Sequence, residues 1–126
     1  MKTTAIIGAL FCLLAVSCKK PAADEGRIPA KSPAQAASSL DESFATASPA
    51  VKQDVQVVSD ALRKREFEKA VVSLQVVQQA PNITLQQGLA IHNSSILLEK
   101  ELINAIERGD PRAKQAYNLL KQMKRN

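Results

Sequence analysis

The chain has no tryptophan, one tyrosine, one histidine, two cysteines and only four glycines in 126 residues. Each shortage removes a class of chemistry. Scattered glycines cannot build a loop that cradles phosphate. Two cysteines and one histidine are too few for a structural zinc site, which takes four ligands. The near-absence of aromatic rings removes the stacking platforms on which sugars or single-stranded nucleic acids rest. At this length the large α/β enzyme folds, which need about 200 residues or more, are excluded. No cofactor or metal is expected, and no enzyme activity.

What is present falls into three segments. Residues Ala5–Val16 form a twelve-residue run without a charge, preceded by Lys2. A membrane-spanning helix needs about 20 apolar residues, so the run fits the core of a secretory leader instead. It ends in Leu14-Ala15-Val16-Ser17-Cys18, which resembles the lipobox of bacterial lipoproteins. That resemblance implies removal of residues 1–17 and acylation of Cys18, which becomes the mature N-terminus. Two or three acyl chains hold a protein firmly on a bilayer. Lys19 and Lys20 then sit at the headgroups. The resemblance implies an exported, membrane-anchored protein facing the periplasm or the cell surface. Lys19 in place of an inner-membrane retention aspartate favours the outer membrane. With Cys12 in the leader and Cys18 acylated, the mature domain holds no thiol.

Residues 18–50 are expected to be the acylated cysteine followed by a disordered tether. Lys19–Ala50 contains nine alanines, five serines and four prolines, and only Ile28, Leu40 and Phe44 are large and apolar. Such a composition buries too little surface to offset chain entropy. A flexible chain of that length spans roughly 30 Å. Within it, Ser39-Leu40-Asp41-Glu42 matches a capping box and marks a short helix toward Thr46.

Residues 51–126 carry helical periodicity throughout and no strand pattern. Val51, Val55, Val58 and Leu62 share one face, after Ser48 as N-cap and Pro49 as first helical residue. A second stripe runs from Phe67 through Ala70, Val71, Leu74 and Val77, with Val72 and Val76 opposite, so this helix is expected to pack on both faces. Thr84-Leu85-Gln86-Gln87 opens a long third helix to about Arg108, with Leu85, Leu89, Ile91, Ile96, Leu98, Leu102, Ile103 and Ile106 as its apolar set. Gly109-Asp110-Pro111 punctuates the chain before a fourth helix bearing Ala113, Ala116, Tyr117, Leu120 and Met123. The expected fold is all-α, four helices as two antiparallel hairpins after the tether. Phe67, Ala70, Leu74 and Pro81 resemble the second helix of a tetratricopeptide repeat, which implies a repeat-like helical hairpin.

Three groups of polar residues stand out. His92, Ser95 and Glu99 fall in one row on the third helix. A nucleophilic triad needs its members to converge from different elements on an exposed serine, so the row reads as a buried polar network. Glu66/Glu68 and Glu99/Glu101 are spaced two apart, and such pairs do not face each other on a helix. The third group is the basic excess: twelve Lys and Arg against eight Asp and Glu after residue 50. It gathers in two clusters, Arg63, Lys64, Arg65 and Lys69, and then Arg112, Lys114 and Lys121 with Lys124 and Arg125. Nucleic acid is excluded as a partner by export and by the missing aromatic platform. An envelope protein or anionic lipid remains. The expectation is a non-enzymatic, membrane-anchored interaction module of the bacterial envelope. A passive self-associating envelope protein is the alternative, and a small hydrolase using the His92 row a remote third.

Overall fold

A computed structural model describes residues 29–126; the expected leader, Cys18 and the first part of the expected tether lie outside the described residues. Among the described residues there are five helices and no strand: α1 (Pro33–Ser43), α2 (Pro49–Arg63), α3 (Phe67–Gln78), α4 (Leu85–Glu107) and α5 (Pro111–Met123). The all-α expectation holds, but the helix count is five rather than four. None of these helices is long and apolar enough to cross a membrane.

The extra element is α1, and it corrects the expected disorder up to residue 50. Its start is set by Ser32, whose hydroxyl accepts the Gln35 N–H at 3.2 Å, and by Pro33 at the first helical position. The helix thus begins seven residues before the Ser39 capping box. Ala36, Ala37, Leu40 and Phe44 are all buried in the core shared with the other helices. Composition argued against this because it counted large side chains. Alanine contributes little area by itself, but it lets two large residues reach a core that other helices already supply. One polar lock adds direction. The Ser59 hydroxyl, wholly buried on α2, donates to Asp41 Oδ1 at 2.5 Å, and Arg63 holds Asp41 Oδ2 at 2.6 Å.

The other boundaries follow their local chemistry. Ser48 caps α2 and Asp110 caps α5, each with proline as first helical residue. Thr84 and Gln87 exchange side-chain and backbone bonds at 3.2 and 3.0 Å, closing the capping box of α4. Gly109 takes a φ of +85° at the end of α4. Its amide and that of Asp110 bond back to Ile106 and Ala105.

Helices α1, α2, α3 and α4 form a ring in which each packs on the next and α1 closes onto α4. Helix α5 lies against α3 and α4 outside that ring. The start of α3, the end of α4 and the start of α5 line one cleft, while their opposite ends line another. Helix α4 therefore runs antiparallel to both α3 and α5.

Burial is more one-sided than the pattern predicted. Val55, Val58 and Leu62 of α2 and Ala70, Val71, Leu74 and Val77 of α3 are buried, but Val72 and Val76 are each 50% exposed. On α4, Ile91, Leu98 and Leu102 are buried whereas Leu85 and Ile103 face outward. Neighbours on three sides of α3 still leave one face open.

Candidate functional site

At one end of the fold a cleft of about 650 Å³ opens between α3, α4 and α5. Its apolar surface is supplied by Phe67 and Val72 of α3, Leu102 and Ala105 of α4, and Ala113 of α5. Its charged lining is Arg65, Lys69 and Arg112 together with Glu66, Glu68 and Asp110. These three cations come from the two basic clusters, at opposite ends of the helical region, and the packing of α5 on α3 brings them together.

The position of Arg65 has a cost. It is the residue after the α2 C-cap and takes a φ of +58°, the left-handed region that favours glycine. The turn is the one Gly109 makes: the Arg65 amide bonds to Leu62, and the Glu66 amide to Ala61 at 2.9 Å. A non-glycine residue there loses about 1 kcal/mol or more relative to glycine. The side chain in return lies in the cleft wall, its guanidinium 3.9 Å from the Glu101 carboxylate. Lys69 stands 3.7 Å from Glu66 on its own helix. The Arg112 amide donates to the Asp110 side chain at 3.0 Å, while its guanidinium has no carboxylate partner among the described residues. The lining contains no serine, cysteine or histidine. The arrangement suits binding of a segment with an apolar residue and one carboxylate placed to meet Arg112.

The remaining predicted residues lie elsewhere. Arg63 is committed to Asp41 and reaches Asp60 at 3.9 Å, fastening α1 to α2. Lys64 is exposed at the α2 C-cap. Lys114 and Lys121 lie on the outer side of α5, Lys121 with its ammonium 5.4 Å from the Tyr117 ring centre. Cys18 lies outside the described residues.

The His92, Ser95, Glu99 row does not close into a network. The Ser95 hydroxyl donates to the Ile91 carbonyl at 3.0 Å, within its own helix. Glu99 pairs across the α4–α5 seam with Lys124, and His92 is exposed. His92 and Ser95 line a smaller cleft of about 480 Å³ together with Met123 and Lys124. Sequence reasoning passed over two buried serines, Ser94, whose hydroxyl has no hydrogen-bond partner among the described residues, and Ser59. A serine among Val55, Val58 and Leu62 on an apolar face was the available signal that a polar partner would meet it. Among the described residues no group of three or more His, Cys, Asp or Glu side chains is placed to hold a metal ion. No protein-family model, curated protein or solved structure matches the chain.

Proposed function

We propose that the chain is a non-enzymatic lipoprotein of the bacterial envelope, anchored through Cys18, whose helical domain binds a segment of a partner protein in the α3–α4–α5 cleft. The observation that carries this reading is the convergence of Arg65, Lys69 and Arg112 around an apolar floor, with Arg65 held in a conformation glycine would adopt more cheaply. Strain of that kind persists where the surrounding fold fixes it and is concentrated at binding sites. The partner segment carries an aliphatic anchor for the floor of Val72, Leu102 and Ala105 and a carboxylate for Arg112, whose guanidinium has no carboxylate partner among the described residues. The repeat-like reading of α2 and α3, with Phe67, Ala70 and Leu74 on the inner side, fits a groove of this type.

Two measurements test it. The intact mass of detergent-extracted protein should match Cys18–Asn126 plus two or three acyl chains; an unacylated mass removes the anchor. A photo-crosslinker at exposed Val72 should give one discrete adduct in envelope membranes, and the same group at Gln53 on α2 should give none. R65E together with R112E should lower that adduct about tenfold, through lost charge complementarity at the rim. An adduct with twice the mass of the chain supports passive self-association instead. No adduct at Val72 overturns the cleft as a binding site.

A further inference from the structure

Helices α4 and α5 share an outer face on which apolar and cationic side chains lie in adjacent rows. Along α4, Leu85 is 82% exposed and Ile103 is 40% exposed, with Leu89 and Ile96 partly exposed between them. At spacings of four, seven and seven these four fall on one edge of the helix. The seam with α5 runs beside that edge, marked by the Glu99–Lys124 ion pair one turn before Ile103. Across the seam, α5 places Lys114 and Lys121 at i and i+7, about 10 Å apart, and Arg125 follows in the turn after the helix, its side chain donating to the Lys121 carbonyl. From Pro111 onward the chain has no acidic residue. None of the three cations has a carboxylate partner among the described residues, in contrast to Arg63, Arg65, Lys69 and Lys124. Lys100 and Glu107 are both exposed on α4 and contribute one charge of each sign.

We infer that this α4–α5 face lies on an anionic lipid surface. The aliphatic row suits shallow contact at the headgroup boundary. The half-buried Tyr117 ring has the mixed character that favours that depth, and the flexible Lys and Arg stems reach the phosphates while covering apolar surface. The fold adds a second reason. Because α1 begins at Pro33, the fourteen residues 19–32 join Cys18 to it, and no chain of that length reaches further than about 50 Å. An anchored domain on so short a lead stays within reach of the headgroups. In this respect the inference rests on the anchored reading above. It also adds orientation: with α4 and α5 against the lipid, the α1–α2 side faces away from the bilayer.

The chain carries its own reporter, since Tyr117 is its only tyrosine and there is no tryptophan. The purified full-length protein is mixed with phosphatidylcholine vesicles, with or without phosphatidylglycerol, that contain a headgroup-nitroxide lipid. Flotation reads the anchor and tyrosine quenching reads the face. The expected result is flotation in both lipids and quenching only with phosphatidylglycerol. K114E/K121E/R125E should keep flotation and lose the quenching, because each cation at the surface shifts the docked population about fivefold. K114Q/K121Q/R125Q, checked for helicity by circular dichroism, should give an intermediate loss. Flotation without quenching, or quenching indifferent to phosphatidylglycerol or to the substitutions, overturns the face and leaves the anchor standing. Failure to float on phosphatidylcholine overturns the anchor instead. Flotation and quenching with phosphatidylglycerol then decide the face alone.

Discussion

Helices α1 and α5 are both short, both begin with a capping residue followed by proline, and both contribute alanines to the core. Their outer sides and their fastenings differ. Helix α1 turns Ala34, Gln35, Ser38 and Glu42 outward and is fixed to α2 from within by the buried Ser59 hydroxyl on Asp41. Helix α5 turns a row of cations outward, and its one ion pair to α4 lies at the surface. Bonding a buried hydroxyl to a carboxylate that is itself one third exposed fixes how two helices meet, because a shifted arrangement leaves the hydroxyl unsatisfied. Leaving cations unpaired does nothing for the fold. One terminal helix is therefore built to complete the core, and the other to present a surface.

The sharpest way to break this contrast is to remove the largest side chain α1 places in the core. Phe44→Ala should cost about 3–5 kcal/mol in chemical denaturation, as large-to-small changes at fully buried aromatic sites do. Tyr117→Ala, at the half-buried position on α5, should cost less than half as much. A loss below about 1 kcal/mol for Phe44→Ala would mean that α1 is held loosely and that the folded unit starts at α2. That result would also lengthen the lead from Cys18 and weaken the case for a domain held against the bilayer.

A smaller effect distinguishes the two fastenings. Asp41→Ala removes the partner of Arg63 and of the buried Ser59 hydroxyl, which can turn to the Ala37 carbonyl 3.3 Å away. The expected loss is about 1–2 kcal/mol, part of the cost of an unsatisfied buried hydroxyl. Glu99→Ala breaks the α5 ion pair, but both side chains are about one third exposed. Solvent screening and side-chain entropy limit that loss to about 0–1 kcal/mol. Equal losses, read as equal shifts in the denaturation midpoint, would erase the distinction between a lock and a surface contact.

The same pair of helices shows how far the sequence can be read. Helix α5 announces itself through Gly109-Asp110-Pro111 and an apolar set spaced for one face. Helix α1 carries the same opening in Ser32-Pro33, the signal that marks α2 in Ser48-Pro49. The composition argument, which counts large residues in the segment alone, points the other way there. Whether Leu40 and Phe44 bury depends on what the other helices offer them, which no local window contains. Tertiary context likewise decides which of Leu85, Ile91, Leu102 and Ile103 face inward, since periodicity marks a stripe too wide for one interface. The cleft was legible only as two separate basic clusters. Its existence depends on α5 packing parallel to α3, a relation between elements far apart in the chain.

The least perturbing test concerns Arg65, where fold and surface make opposite demands. Its φ of +58° costs energy that glycine would not pay, and its side chain is more than half exposed. If the residue served the fold alone, glycine would be the better choice. Arg65→Gly should therefore raise stability by about 0.5–1 kcal/mol, a gain of a few degrees in Tm for a domain of this size. The contact to Glu101 is long, at 3.9 Å, and the guanidinium is well solvated, but the Glu101 side chain is only 15% exposed, so its loss offsets part of the gain. The same variant should give less of the Val72 crosslinked adduct, while leaving Tyr117 quenching on anionic vesicles unchanged. A more stable variant that binds less well at the cleft is the signature of strain retained for recognition. A variant less stable than the parent would instead assign Arg65 to the fold, through its contact with Glu101 at the end of α4, and the cleft would lose the observation on which it most depends.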